Sequence, residues 1–180
     1  MVTRTGERVL IRPPEPGDEP AVLAAVRRSA DLIAPWNPVA TDHASFARLL
    51  ARDPVALTYL VVDLETGDPA GKITVNDVRH GRLSSAALGY DAYVPYAGTG
   101  RTTEGLQLVV TQCFAVQDQG GLGLHRLEVN VQPGNERSIA LARRVGFRHE
   151  GFSLRFLWIN GAWRDHERFA LTAEEWPPSA

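Results

Sequence analysis

The sequence predicts an α/β fold in which a mixed β-sheet carries helices on both faces. Three observations support this prediction. Segments with two-residue alternation of apolar side chains stand beside segments with helical spacing. Turn signals at residues 65–68 and at Asn160-Gly161 join neighbouring strands as antiparallel hairpins. The strand–helix–strand unit at residues 86–131 requires a parallel crossover connection.

The start of the chain is predicted to form a short strand and a helix. Residues 9–12 form the strand, which stops at Pro13-Pro14. A helix follows up to about residue 29, because Asp18 can cap it and Pro20 suits its first turn. Both elements carry apolar residues at the spacing expected for one buried face.

The next segment combines an irregular loop with a second helix. Two prolines within residues 34–38 exclude regular structure, so Trp36 is predicted to lie in a loop. The second helix begins at Thr41 or Asp42, either of which can cap it. It ends before Pro54, because the residue before a proline disfavours helical geometry.

The middle of the chain is predicted to contain four strands and one helix. Apolar residues alternate with polar ones in the strands, and they recur at helical spacing between the third and fourth strands. The predicted elements are strands at 57–64, 70–78 and 86–94, a helix at 102–116 and a strand at 124–131.

The last part of the chain is predicted to form a helix and a hairpin. Asn135 caps the helix, and Gly146 lies where a left-handed C-cap belongs. Strands at 148–159 and 162–171 flank the hairpin turn. The element order is therefore β-α-α-β-β-β-α-β-α-β-β, mostly antiparallel with one parallel β4-α-β5 crossover, and residues 1–180 are expected to form a single domain.

The composition is that of an ordinary globular protein and restricts the function. The chain has 180 residues, is 44% hydrophobic and 22% charged, and carries a net charge of −2. This balance argues against nucleic acid as a partner. The single cysteine, Cys113, forms no intrachain disulfide and indicates no metal cluster. No apolar run approaches a membrane span and no signal segment is evident, so we expect no membrane partner and a cytoplasmic location.

A turn with two glycines, Gly98-Thr99-Gly100, follows a strand and opens a helix. Successive backbone N–H groups can converge there, and the helix N-terminus adds partial positive charge, which suits a pyrophosphate. The turn lacks the third glycine of a dinucleotide-binding fingerprint and the Gly-Lys-Ser/Thr of a P-loop. Two interpretations remain: a plain turn, or a pyrophosphate-binding turn of another family.

Together with this turn, a second motif resembles the GCN5-related N-acetyltransferases, the GNAT family. That motif is Asn135-x-x-Ser138-x-x-Leu141, followed by Gly146-Phe147. A narrower resemblance is to the RimJ/RimL-like branch, which acetylates the N-termini of ribosomal proteins. The segments that carry it are Trp36-Asn37-Pro38, Thr103-Glu104 and Asn160-Gly161-x-Trp163-x-Asp165-His166.

This resemblance implies a GNAT fold and acetyl-coenzyme A (acetyl-CoA) as the acetyl donor for a primary amine, attacked directly in a ternary complex. The residues implied to hold the pyrophosphate, mainly by backbone, are Gly98, Thr99, Gly100, Arg101 and Thr102. The fourth predicted strand is implied to splay from the fifth, so that backbone groups near Tyr93 and Val94 contact the pantetheine arm. An N–H near Ala92 or Tyr93 would polarise the acetyl carbonyl.

The resemblance also implies roles at the second motif and at the acceptor side. Asn135 would orient pantetheine, and Ser138 would protonate or hydrogen-bond the sulfur as the catalytic residue. Many relatives use a tyrosine four residues before the glycine, where this chain has Ala142. Trp36 is a candidate wall of the acceptor site, and we expect Asp165 and His166 to be structural.

The identity of the general base and of the acceptor amine stays open. The residues weighed as a base are Asp77, His80, Asp91 and Glu128. An α-amine has a pKa near ~7.7–8.0 against ~10.4 for lysine, so a missing base favours a protein or peptide N-terminus. Alternatives are a small amine (antibiotic, polyamine or amino acid), a non-catalytic acyl-CoA-binding module and a pure interaction domain. The family also makes a homodimer possible.

Overall fold

The computed structural model describes residues 2–51 and 53–176. In this part of the chain, eight strands form one sheet in the order β1-β2-β3-β4-β5-β6-β8-β7. The strands are β1 (Arg4–Thr5), β2 (Val9–Arg12), β3 (Ala56–Asp63), β4 (Pro69–Arg79), β5 (Ser85–Ala92), β6 (Arg126–Val131), β7 (Arg148–Ile159) and β8 (Ala162–Thr172). The helices are α1 (Glu19–Arg28), α2 (Ala30–Ile33), α3 (His43–Leu50), α4 (Arg101–Phe114) and α5 (Glu136–Val145).

The predicted mixed sheet is confirmed, with two additional elements. β5 and β6 run parallel and are joined through α4, whereas the other neighbouring strands pair antiparallel. Because β1 precedes the first predicted strand, the predicted β4-α-β5 crossover is β5-α4-β6. β1 has two residues and α2 has four, which is too short for a periodic pattern to reveal them.

Two apolar cores lie on opposite faces of the sheet because side chains alternate along each strand. In β3, Tyr59 and Val61 belong to the core that α4 and α5 cover. Leu60 and Val62 belong to the other core, together with α1, α2 and α3. The predicted helices on both faces are therefore confirmed. None of the helices in residues 2–51 and 53–176 has the length and apolarity needed to cross a bilayer.

The parallel pair opens before its strands end. β5 pairs with β6 only from Ser85 opposite Arg126 to Leu88 opposite Val129. β5 then continues along β4 as far as Ala92, whose partner is Gly71. Residues 89–92 of β5 and residues 130–131 of β6 therefore diverge, and the inward-facing backbone groups of both strands border a gap. This gap is the feature of the fold that organises the site.

Candidate active site

The glycine turn follows β5 and leads directly into α4. Gly98 and Gly100 have φ angles of 81° and 88°, in the left-handed region that glycine adopts without a steric penalty. Gly100 is the N-cap of α4 and contributes no capping side chain. The first-turn N–H groups of the 14-residue helix α4 therefore depend on other partners, as in an anion-binding helix terminus.

Arg8 lies beside this turn, which the sequence did not indicate. Its Nη1 donates to the Thr99 carbonyl at 3.2 Å, and both terminal nitrogens lie 3.1 Å from where a Cβ on Gly100 would stand. Glu104 of α4 holds Arg8 there through a 3.0 Å ion pair with its Nε and a 2.9 Å bond from its backbone N–H. Burial opposes ionisation of Glu104, but these bonds lower its pKa overall. The turn thus carries a fixed cation.

Arg101 and Thr102, both predicted to contact pyrophosphate, occupy different environments. The Arg101 guanidinium is ion-paired with Asp63, a buried carboxylate at the end of β3. Burial opposes ionisation of Asp63, but hydrogen bonds from Arg101 and Thr66 hold its pKa below the usual value. The Thr102 side chain is buried, and its hydroxyl has no partner. Arg101 anchors the helix start through its side chain, while Thr102 presents an unpaired polar atom there.

The start of α5 is capped as the sequence predicted. The Asn135 side-chain oxygen accepts the Ser138 N–H at 3.2 Å. This cap fixes the first turn of α5 and with it the direction of the Ser138 side chain. Ser138 is half-buried, and it lies on the side of α5 that faces the diverging part of β5.

A tyrosine on β5 meets Ser138. The Tyr90 hydroxyl lies 2.8 Å from Ser138 Oγ and 3.2 Å from the Ser138 carbonyl. Burial raises the pKa of Tyr90 to about 12, so its phenol keeps its proton at neutral pH. Ala142, the residue where many relatives carry tyrosine, is fully buried in the core. The phenol near Ser138 thus comes from a strand and not from α5, a juxtaposition that depends on tertiary packing.

A cleft of about 950 Å³ opens at the gap between β5 and β6. Its walls include residues of β4, β5, β6, β7 and β8 and the loop after α2, among them Trp36, Tyr90, Asn135 and Ser138. Trp36 is held at the cleft because its carbonyl accepts Gln132 Nε2 at 2.7 Å. The cleft therefore brings Trp36 of this loop and Ser138 of the second motif to one cavity, and their proposed roles stay predictions.

Charged side chains in the cleft are largely paired with one another. Asp91 is 2.8 Å from Lys72 Nζ and also accepts Asn37 Nδ2 at 3.2 Å. Glu128 accepts Arg168 Nη2 at 2.7 Å, and Arg126 at 3.0 Å. Of the carboxylates that line the cleft within the described residues, only Asp77 is outside an ion pair. The cleft is therefore polar but close to electrically balanced.

The backbone donors of Tyr93 and Val94, expected to meet pantetheine, are used inside the protein. Tyr93 N–H donates to the Ala70 carbonyl at 2.9 Å, and Val94 N–H donates to Ser29 Oγ at 2.9 Å. The Tyr93 side chain is buried in the core beneath α1. Hydrogen-bond directions alternate along an antiparallel strand, so the Ala92 N–H points toward the gap instead. Ala92 is the better placed of the two residues expected to polarise a carbonyl.

The structure brings the predicted residues together in two groups along one path. Trp36, Asn135 and Ser138 line the cleft, whereas the turn at residues 98–102 lies outside it, beyond the end of β5. The gap between β5 and β6 lies between the two groups. Tyr90 and Arg8 are the additional polar residues at these two places, and only the packed fold reveals them.

Comparison with known proteins identifies the family. The sequence matches the family described as Acetyltransferase (GNAT) domain over residues 8–148. The ribosomal protein uS5-alanine N-acetyltransferase of Escherichia coli (strain K12) is 27% identical, over 98% of this chain and 94% of its own length. The probable N-acetyltransferase YjcK of Bacillus subtilis (strain 168) is 34% identical, over 56% of this chain and 53% of its own length.

Solved structures agree with this assignment. The structure of Mycobacterium smegmatis RimJ in complex with CoA-disulfide has a TM-score of 0.81 and 33% identity, and the match covers 95% of this chain and 85% of that one. A ribosomal-protein-S5-alanine acetyltransferase from Vibrio fischeri has a TM-score of 0.81 and 25% identity, over 99% of this chain and 100% of that one. The gapped parallel pair, the glycine turn and the family match together establish that this chain belongs to the GNAT family and is an N-acetyltransferase of the RimJ/RimL-like branch.

Proposed function

We propose that this enzyme transfers the acetyl group of acetyl-CoA to the α-amine at the N-terminus of a protein or peptide. One observation supports this most directly: the gap between β5 and β6 opens at the end of β5 that leads to the glycine turn, and residues of this gap line the open cleft. A donor held at the turn and an amine held in the cleft would meet at this gap. The proposed class of acceptor comes from relatives whose names give an alanine of a ribosomal protein as the residue that is acetylated.

The residues at the turn fit acetyl-CoA, which would supply a thioester-activated acetyl group. The open start of α4 and the fixed Arg8 cation offer donors to a pyrophosphate. A Cβ placed on Gly98 would meet no atom within 4 Å, so this side of the turn is open to a bound group. Asn135 lies farther along the same path and would face pantetheine.

In our proposal, three groups of this chain act at the gap. The Ala92 N–H donates toward the acetyl carbonyl oxygen, where negative charge develops during attack. Ser138 donates its hydroxyl proton toward the sulfur. Tyr90 controls that donation, because a hydroxyl has one proton: when Tyr90 donates to Ser138 Oγ, the Ser138 proton is free to point elsewhere.

The charge balance of the cleft supports a peptide N-terminus over a polycationic small amine. Asp91 and Glu128 are neutralised by Lys72 and Arg168, so they give a polyamine or aminoglycoside little net attraction. An α-amine also loses its proton more easily than a lysine. At pH 7 the difference is about 3.5 kcal/mol, from pKa values near ~7.8 and ~10.4 at ~1.36 kcal/mol per unit. An open cleft also accommodates the chain that follows an N-terminal residue.

The test is thiol release from acetyl-CoA with a panel of acceptors, followed by mass analysis of the products. The panel contains peptides that begin with Ala, Ser or Thr, the same peptides with blocked N-termini, polyamines and aminoglycosides. We expect turnover with the free peptides and none with the blocked ones. Turnover with small amines alone would overturn the proposed acceptor but leave the donor site. Coenzyme binding with no turnover on any amine would favour a binding module.

A further inference from the structure

Acetyl transfer to an ammonium requires a proton acceptor, and the two ion-paired carboxylates of the cleft, Asp91 and Glu128, are poorly suited to that role. Asp91 is engaged by Lys72 and Asn37. For Glu128, burial opposes ionisation, but hydrogen bonds from Arg126 and Arg168 outweigh it and lower the pKa. A carboxylate whose pKa is lowered is a weaker base, so another group that lines the cleft is better suited to accept the proton.

His166 of β8 lines the same cleft and had been expected to be structural. His166 is only 1% exposed to solvent, although it is one of the residues that line the cleft. The ring packs edge-on against Phe156, with centroids 5.8 Å apart and an interplanar angle of 65°. Across the hairpin its partner on β7 is Ser153. Packing against β7 therefore fixes the position of the imidazole.

The hydrogen bond of His166 determines its tautomer. Nδ1 lies 3.0 Å from the Arg164 carbonyl oxygen, which can only accept a hydrogen bond. Nδ1 must therefore carry the proton, and the neutral ring keeps its lone pair on Nε2. A neutral imidazole held in this way, with one nitrogen tied to the backbone, has the form required of a general base.

The surroundings of His166 favour that neutral form. Burial lowers the pKa of the imidazole most strongly, and Arg168 lowers it further. The Arg164 carbonyl and Asp165 raise the pKa of His166, but burial and Arg168 outweigh them and the pKa is lowered overall. On the neighbouring strands, Ser153 and Phe156 carry no charge, and Glu128 of β6 is paired with Arg168.

We propose that Nε2 of His166 accepts the proton of the acceptor amine, directly or through one water molecule. This inference rests on the N-acetyltransferase activity of the family and applies to any amine that the enzyme acetylates. The base would stand on β8, on the acceptor side of the cleft, while Ser138 and Tyr90 stand on α5 and β5.

The proton and electron balance is as follows. The acceptor ammonium gives one proton to Nε2 and becomes a neutral amine, whose lone pair forms the bond to the acetyl carbon. The carbon–sulfur bond breaks and its electron pair stays on sulfur, which takes up a proton. The nitrogen loses a second proton as the amide forms, and this proton balances the one that the sulfur takes up. One proton is released in total, and the imidazolium returns its proton to water.

The experiment compares His166→Gln with His43→Gln, a matched control because the His43 side chain is 81% exposed on α3. The acceptor is whichever amine the wild-type enzyme acetylates. We expect kcat of H166Q to fall about 10²-fold, the effect typical of losing a general base, with unchanged affinity for CoA. The H43Q enzyme should keep wild-type kcat. A folded H166Q enzyme with wild-type kcat would overturn the proposal.

The wild-type pH profile provides a second test that does not depend on how the variant folds. At saturating substrates, kcat should fall on the acidic side with an apparent pKa below about 6.5, as expected for a buried neutral histidine. The apparent pKa of this acidic limb should not change when the acceptor is replaced by one whose amine has a lower pKa. An apparent pKa that changes with the acceptor amine, or a kcat profile with no fall in acid, would contradict the proposal.

Discussion

The hydroxyl pair formed by Ser138 and Tyr90 is the most specific arrangement at the site. The Asn135 cap directs Ser138, and burial keeps Tyr90 protonated, so each hydroxyl has one proton to share. Tyr90 can reach either the Ser138 Oγ or the Ser138 carbonyl. When Tyr90 donates to Ser138 Oγ, the serine proton is free to point toward another acceptor, so Tyr90 has a positioning role.

Removing the Tyr90 hydroxyl tests that role. In Tyr90→Phe, we expect kcat to fall about 5-fold, since one hydrogen bond is worth about 1 kcal/mol, with little change in KM for acetyl-CoA. Tyr59→Phe is the matched control, because the buried Tyr59 hydroxyl has no partner. Steady-state kinetics on both variants decides the matter. Equal kcat values for the two variants would remove Tyr90 from the mechanism.

The cation at the glycine turn predicts a binding effect. In Arg8→Gln, we expect KM for acetyl-CoA to rise about 5-fold while kcat is unchanged, as for the loss of a partly exposed phosphate contact worth about 1 kcal/mol. Arg28→Gln, at the exposed end of α1, is the control. KM is measured by thiol release over a range of acetyl-CoA concentrations. A variant with lower kcat and unchanged KM would argue against phosphate binding by Arg8.

At this scale the sequence predicts the local features of the site but not its long-range contacts. The Asn135 cap follows from residues three positions apart, and the position of Trp36 in a loop follows from adjacent prolines. Tyr90 meets Ser138 across 48 positions, and Arg8 meets Glu104 across 96. Such pairs depend on strand register and helix docking, which local patterns do not encode.

Among the elements, α5 connects stability with catalysis through its first turn. In Asn135→Ala, loss of the cap should reduce the free energy of unfolding by about 1 kcal/mol. The same change should raise KM for acetyl-CoA, because the Ser138 turn loses its anchor. Denaturant unfolding and kinetics measure the two effects. Asp42→Ala removes the matching cap of α3, away from the donor path, and should affect stability alone.

The start of α4 shows how an element is positioned by charges from other strands. Arg101 forms an ion pair with Asp63 of β3, and Glu104 forms one with Arg8, which lies between β1 and β2. These two ion pairs keep the glycine turn close to β2 and β3. The helix and its glycine start were predictable from the sequence, and Arg101 was assigned there to the pyrophosphate. The ion pairs of Arg101 and Glu104 were not predictable, because their partners lie far away in the sequence.

For the whole molecule, these paired carboxylates predict loss of stability in acid. The pKa values of Asp63 and Glu104 are lowered in the fold from ordinary values of 3.8 and 4.5. The unfolded chain therefore binds more protons at low pH, so their contribution is complete above about pH 4.5 and is lost as the pH falls below it. Thermal unfolding at a series of pH values measures this.

The Asp63→Asn variant isolates the contribution of Asp63 to that effect. It should be less stable than the wild type at pH 7, and its Tm should fall less steeply between pH 5 and pH 3. A variant that follows the wild-type curve in parallel would mean that Asp63 does not contribute to the acid dependence.

The fold as a whole was largely predictable because long elements carry clear periodic patterns. The order of strands and helices, the hairpins and the parallel crossover follow from the residues themselves. The brief β1 and α2 did not follow, because their two and four residues give no period. The extent of the gap between β5 and β6 was implied only by family resemblance, since it depends on where pairing stops.

The proposed reaction is acetylation of an α-amine in the cleft beside Ser138. One peptide with a free N-terminal alanine and an internal lysine tests it, with acetyl-CoA as donor and tandem mass spectrometry to locate the product acetyl group. We expect the acetyl group on the N-terminal nitrogen, at a rate that Ser138→Ala lowers at least about 10²-fold while Ser84→Ala leaves it unchanged. Acetylation of the lysine alone would contradict the proposed acceptor, and a full rate in S138A would contradict the proposed chemistry.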